Sequence, residues 1–312
     1  MFRKVYSFLI VLMVCAAAAG QDGTKSIKSE EYLTKRPESS NPDTRAAGLL
    51  TRSGNRSQAA SRSHVYSVDK NFSGGPPPRD QEYVRVGVTI WRYGPSQCPI
   101  PDCPLPAGGD RGLMDTAAGV RVDDSVAFST GERVRLALES LSHDGFVYII
   151  DREKFADNTF GSPYLIFPTR SINNGSNYAR PGLQIHLPRA QGCFCVKARN
   201  PQKGLVADNL IVIISPQPLL SSEEIGDREI PLPTRLAKYI SRADKEPSQR
   251  GALKDGVGLT QTPAELKAGS KGLVDTQATL TQDDLPPQNF YQSLVPRGAA
   301  AVFSMYLQYA KP

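Results

Sequence analysis

Val84-Arg85-Val86-Gly87-Val88-Thr89-Ile90 sets an aliphatic residue at every second position of a seven-residue stretch. Successive side chains of a strand point to opposite faces, so Val84, Val86, Val88 and Ile90 make one apolar face, whereas a helix would scatter them around its circumference. The same alternation returns at Arg133-Val134-Arg135-Leu136-Ala137-Leu138-Glu139, with Val134, Leu136 and Leu138 inward. A Pro- and Gly-rich excursion from Tyr93 to Gly119 separates the two. Beyond them, His143-Asp144-Gly145 is a turn signal, with glycine where φ turns positive. It leads into Phe146-Val147-Tyr148-Ile149-Ile150, apolar on both faces as a central strand is. Shorter runs follow at Tyr164–Phe167, Leu183–Leu187, Cys193–Ala198 and Asn209–Ile214. Short strands punctuated by Gly, Pro and Asn predict a mainly β fold, an antiparallel sandwich or barrel-like domain.

After Ser215 the pattern changes. Pro233–Lys245 places Leu236, Tyr239 and Ile240 on one helical face, and Thr262-Pro263-Ala264-Glu265 has the form of an N-cap, a first-turn proline and a short helix. Residues 280–288 read as loop. Phe303, Met305, Leu307 and Tyr309 then alternate with Ser304, Tyr306 and Gln308, a last strand expected to return to the sheet beside Val84–Ile90. Residues 82–312 thus form one β-rich unit, a core at 82–219 and an appendage at 220–312, with one or two short helices near the C-terminus.

The N-terminal part differs in kind. Arg3 and Lys4 precede the apolar run Val5–Val14, which exits through Ala16-Ala17-Ala18-Ala19-Gly20. This is the layout of a signal peptide over residues 1–20, too short to span a bilayer, which needs about 20 apolar residues. Val14 before Cys15 is a poor match to a lipid-attachment motif. The implied location is exported: periplasm, cell envelope or extracellular. Residues 21–80 are polar, close with Gly74-Gly75-Pro76-Pro77-Pro78, and read as a disordered polar and basic linker. Between Arg45 and Arg79 six basic residues meet one acid, Asp69, within a chain of net charge +6. Such a run is either solvated or drawn to an anionic envelope surface. Nucleic acid is not an expected partner of an exported chain, and only Tyr66 and Phe72 fall among these basic residues.

Thr130-Gly131-Glu132-Arg133-Val134-Arg135-Leu136, Gly145-Phe146-Val147-Tyr148-Ile149-Ile150, Leu165-Ile166-Phe167-Pro168 and the later Leu187-Pro188 follow one another in an order that resembles the domain of unknown function 4384. The resemblance covers roughly residues 126–215. Phe146 stands where the family's pattern has tyrosine, and Ile166 separates Leu165 from Phe167-Pro168. The resemblance implies a bacterial β-sandwich-like module of the kind found beside kinase, peptidase and envelope modules, and brings no catalytic residues with it.

An exported chain reaches an oxidising compartment, where the four cysteines beyond the signal, Cys98, Cys103, Cys193 and Cys195, are disulfide candidates with three connectivities. In a strand, Cys193 and Cys195 share a face about 6.6 Å apart, near the upper limit for a bridge to each other. Cys98 and Cys103 either close their own loop or dock onto that strand, the preferred arrangement. A four-thiolate zinc site competes, but structural zinc favours tighter paired spacings.

Nucleophilic catalysis requires a base held against the nucleophile. Of three histidines, His64 lies in the linker, His143 in a turn, and His186 at an expected solvent-facing strand position. No Gly-x-Ser-x-Gly, His-Glu-x-x-His or Walker signature occurs. Asp123-Asp124, Asp283-Asp284 and the Asp151/Asp157 pair read as solvated turn residues, without calcium-loop spacing. Asn55, Asn71 and Asn174 fit the glycosylation triplet, common by chance in a Ser-rich chain. The expectation is a non-enzymatic, cofactor-free interaction or structural module whose partner is an envelope protein or glycan. Trp91 and Tyr93 are expected either to contact that partner or to cover the sandwich edge. The alternative is a polysaccharide-binding or polysaccharide-degrading protein. The oligomeric state is open.

Overall fold

The computed structural model describes residues 33–38, 76–94, 98, 119–188, 192–197, 204–246, 248–252, 258–269 and 279–310, with the backbone of 25–28 and 65–68. The signal segment, most of the linker, His64, Asn55, Asn71 and Cys103 lie outside these residues. Among the described residues no helix is long and apolar enough to cross a membrane.

The strands are β1 (Lys25–Lys28), β2 (Val65–Val68), β3 (Gln81–Tyr93), β4 (Val120–Val122), β5 (Arg133–Ser140), β6 (Gly145–Phe155), β7 (Tyr164–Phe167), β8 (Tyr178–Ala179), β9 (Gln184–Leu187), β10 (Phe194–Cys195), β11 (Leu205–Ser215), β12 (Ile230–Pro231), β13 (Gln249–Ala252), β14 (Asn289–Pro296) and β15 (Ala301–Gln308). They form two open antiparallel sheets. The first runs β1-β2-β13-β14-β3-β5-β10, with β4 also on β3 and β9 on β5; the second runs β12-β7-β6-β11-β15, with β8 on β6. Among the described residues two short α-helices lie between β12 and β14, α1 (Ala237–Lys245) and α2 (Pro263–Gly269).

The alternation in β3 decides which face meets the second sheet. Val84, Val86, Val88 and Ile90 join Val134, Leu136 and Leu138 of β5 in a core shared with Val147 and Ile149 of β6 and Leu210, Val212 and Ile214 of β11. Burying such side chains stabilises by about 1.5–3 kcal/mol each, enough for this face to set the register. β6 is buried on both sides: Tyr148 and Ile150 face outward beneath Leu236, Tyr239 and Ala243, one stripe of α1 and the turn before it. α2 starts as its sequence indicates. Thr262 N donates to Glu265 Oε2 at 2.8 Å, and Glu265 N donates to Thr262 Oγ1 at 3.2 Å, a reciprocal cap.

Two expectations need correction here. The last strand does not lie beside Val84–Ile90: β15 pairs with β11, from Ile214↔Ala301 to Ala207↔Gln308. The neighbour of β3 is β14, in register from Val88↔Asn289 to Gln81↔Pro296. Phe303, Met305 and Leu307 belong to the inter-sheet core, and β11 offers that face a complementary edge. The linker reading also fails locally. β1 and β2 pair with each other and β2 pairs with β13. Leu33 and Arg36 are buried as well. An ion pair holds Arg36, and no apolar periodicity announces it.

Candidate functional site

A cavity of about 530 Å³ opens between the two sheets, lined by residues of β5, β6, β7, β10, β11 and β15. Its apolar wall includes Leu136, Ile166, Leu210 and Leu307, with the aromatic Phe128 and Phe194. Asp151 and Glu153 of β6, Asp208 of β11 and Tyr309 line the same space, beside Leu210 and Leu307 of the same sheet, and Lys197, Arg228 and Glu229 line it too.

Strand register explains the acid cluster. Val147, Ile149, Asp151 and Glu153 share one face of β6, so the inward apolar stripe turns acidic at its end. In the β6–β11 ladder Asp208 stands directly opposite Glu153, and Leu210 opposite Asp151. Like charges placed opposite each other oppose strand pairing. Tyr309 donates a short hydrogen bond to Asp208. Burial, then the charges of Asp208, Asp151 and Glu153, hold the Tyr309 phenol well above its usual pKa, so it stays a neutral donor. The cavity thus offers hydrogen-bond acceptors and apolar surface side by side, the mixture that fixes and orients a small ligand.

The far face of the first sheet is a closed polar layer. Trp91 is 0% exposed and Tyr93 5% exposed, so both are covered in this structure. They pack with Ala137, Cys98 and Cys193. Tyr93 donates to Gln261 at 2.8 Å, Arg135 also reaches Gln261 at 3.2 Å, and the Arg135 guanidinium lies 4.6 Å from the Tyr93 ring centre. Burial raises the Tyr93 pKa and lowers that of Arg135, while each partly restores the other. Arg121, on β4, pairs with Glu265 of α2, both almost completely buried. His186 is not solvent-facing: it is 2% exposed, on the outer face of β9 opposite Ala137 and beside Trp91.

Cys98 and Cys193 form a disulfide with their Cα atoms 6.1 Å apart. Cys195 is disulfide-bonded too, to a partner outside the described residues. Cys98 is thus docked on the β10 segment rather than looped locally, and neither Cys193 nor Cys195 is a free thiolate. Among the described residues no three acidic, His or Cys side chains group to hold a metal ion.

No family model, curated protein or solved structure matches this chain.

The acids classed as solvated separate on inspection. Asp157 and Asp283 are exposed. Asp124 is 7% exposed, bound by Arg250 and by Tyr291 at 2.9 Å, and Asp151 is 6% exposed at the cavity. His143 sits in its turn, 3.2 Å from Glu82. Asn174 is exposed. Sequence reading missed Glu153 and Asp208 altogether and placed Tyr309 only as a residue of the last strand. The available signal was a polar residue at each inward position where an alternating strand should carry an aliphatic one.

Proposed function

We propose that this chain is an exported, non-catalytic binding module of a bacterial periplasm or envelope, and that its ligand enters the cavity between the sheets. The acid-lined cavity carries the reading: Asp151, Glu153 and Asp208 gather in a space that Leu136, Leu210 and Leu307 also line, with Asp208 directly opposite Glu153 across the strands. Binding is favoured over catalysis because Tyr309 is held protonated and hydrogen-bonded to Asp208, and because His186 and His143 lie elsewhere. A fitting ligand is compact, presents hydroxyl or amino donors to the carboxylates, and lays apolar surface on Leu136 and Leu210. The resemblance over residues 126–215 supports the envelope setting.

Phe128, Phe194 and Tyr309 beside three carboxylates also favour a second reading, a sugar ring of an envelope polysaccharide as the ligand.

The test is affinity capture from native envelopes with the full chain, run beside Asp208→Asn and Ile166→Trp. The first variant removes an acceptor and the second narrows the cavity from its partly buried rim. A component retained by the wild type and released by both folded variants supports the cavity. Equal retention by all three moves binding to another surface and overturns the proposal.

A further inference from the structure

At the end of β6 away from the cavity acids, two turns that cross between the sheets meet the first residues of β3. The β5–β6 turn, Leu141-Ser142-His143-Asp144, passes from the first sheet to the second, as does the β14–β15 turn that holds Gly298. Glu82 shares the face of β3 that carries Val84, Val86 and Val88 inward, so the aliphatic stripe ends in a carboxylate. His143 Nδ1 lies 2.8 Å from Ser142 Oγ, and His143 Nε2 lies 3.2 Å from Glu82 Oε2. A hydroxyl, an imidazole and a carboxylate thus stand in succession, as do an activated nucleophile, its base and the group that orients the base.

Each member is held by its surroundings. Arg85 N donates to Ser142 Oγ at 2.9 Å, and Leu141 N donates to the Arg85 carbonyl at 2.9 Å. These bonds carry the β3–β5 pairing past Val86↔Ser140 into the turn. Ser140 Oγ donates to the His143 carbonyl, and Gly298 N donates to Glu82 Oε1 at 3.1 Å. The Glu82 carboxylate favours the imidazole proton on Nε2, which leaves Nδ1 to accept the Ser142 hydroxyl. The Arg85 N–H points at the same oxygen and stabilises the negative charge that grows there as the proton leaves. Solvent reaches the group: Ser142 is half-buried, and the His143 and Glu82 side chains are 38% and 26% exposed. A Cβ at Gly298 would meet nothing within 4 Å, so the approach beside Glu82 is open.

We propose that Ser142 is an acyl-modification site, whose hydroxyl takes an acyl group from an activated ester. Ser142 Oγ attacks the ester carbonyl while His143 Nδ1 takes its proton. The new bond joins Oγ to the acyl carbon, and the donor's own acyl C–O bond breaks. The proton then passes from Nδ1 to the departing oxygen, which leaves as an alcohol, and no oxidation state changes. The chain is the acceptor in a single transfer, so the site sits beside a binding role and does not rest on the cavity. Acyl donors fit better than phosphoryl donors. The Glu82 carboxylate and the exposed Asp144 repel a polyanionic phosphate, whereas a neutral ester meets no such barrier.

The experiment incubates the full chain with p-nitrophenyl acetate and locates acetyl groups by fragmentation of its peptides. Ser142→Ala, His143→Gln and Glu82→Gln run beside the wild type, and Ser222, an exposed serine elsewhere, is the internal reference. In the wild type Ser142 should acetylate about a hundredfold or more faster than Ser222, the contribution of a positioned base. His143→Gln should bring Ser142 to the reference rate, and Glu82→Gln should slow it about tenfold or more. Ser142→Ala should lose the hydroxylamine-sensitive ester and keep the acetyl groups on lysines. Equal rates at Ser142 and Ser222, a rate unchanged in His143→Gln or Glu82→Gln, or an acetyl group on His143 in place of Ser142 overturns the proposal. The wild-type ratio of Ser142 to Ser222 needs no variant, so it decides the matter should a substitution prevent folding.

Discussion

His186 lies 5.6 Å from the Trp91 ring, and burial first, then the Arg135 charge, pull its pKa down to about 3 from 6.5. Between those values the unfolded chain binds a proton that the folded chain refuses. Folding stability is therefore full above about pH 6.5 and falls as pH drops toward 3, at about 1.4 kcal/mol per unit and on the order of 5 kcal/mol in all. His186→Gln, which cannot titrate there, should flatten that slope in urea unfolding between pH 7 and 4; parallel curves would show that other groups set it. Trp91 tests the same layer by size. With no exposed surface, Trp91→Ala should cost about 3–5 kcal/mol through the space it leaves, read as a lower thermal midpoint. Arg121 and Glu265 test it by charge. Glu265→Gln strands a buried guanidinium and should cost about 3–5 kcal/mol, measured by the same unfolding curve.

Between residue and domain, each element's legibility follows from whether its stabilisation is periodic. α1 was readable because Leu236, Tyr239 and Ile240 fall on one face; Leu236 and Tyr239 bury there with Ala243, while Ile240 is half-buried, and α2 was readable from its Thr262 cap. β3 and β5 were readable because one face is wholly aliphatic. β14 was not. Asn289, Tyr291, Ser293 and Val295 alternate with Phe290, Gln292 and Leu294, so both faces mix polar with apolar and the two-residue period cancels. The Arg36 segment was unreadable for a different reason, since its anchor is a single ion pair to a carboxylate 103 positions away. The acidic cavity wall stayed hidden because its residues, remote in sequence, meet through the β6–β11 register. β15 gives the test at this scale. Removing residues 301–312 strips the whole β11–β15 ladder and takes Phe303, Met305 and Leu307 from the core. The truncated chain should lose cooperative unfolding, seen as a broad, low-enthalpy calorimetric transition, whereas a sharp wild-type transition would mean the second sheet is complete without it.

For the molecule as a whole, the Cys98–Cys193 disulfide joins the covered outer layer of the first sheet to the wall of the inter-sheet cavity. β10 is a weak element by itself: it pairs with β5 only at Phe194↔Val134 and Cys195↔Arg133, and Val196 adds two bonds, its N to the Glu132 carbonyl at 2.9 Å and its carbonyl from Gly131 N at 2.8 Å. So short a ladder holds a strand poorly, and its place beside the cavity depends on covalent attachment, through Cys193 and through the separate disulfide of Cys195. The bond spans a sequence separation of 95. In the chain-entropy account a loop of that length adds about 4–5 kcal/mol by restricting the unfolded chain, a figure that native-state distortion reduces. Cys98→Ser with Cys193→Ser should therefore lower stability by about 2–5 kcal/mol. The loss should also be uneven. Amide exchange at Phe194 and Val196 should quicken well beyond that of Val212 and Ile213, whose strand is paired on both sides by β6 and β15. If exchange rises by the same factor in β10 and β11, the bond acts on the unfolded state alone and the cavity wall needs no pin. If β10 opens first, oxidation state sets how firmly the cavity is walled, because the strand that the disulfide holds is the one that carries Phe194 into the lining.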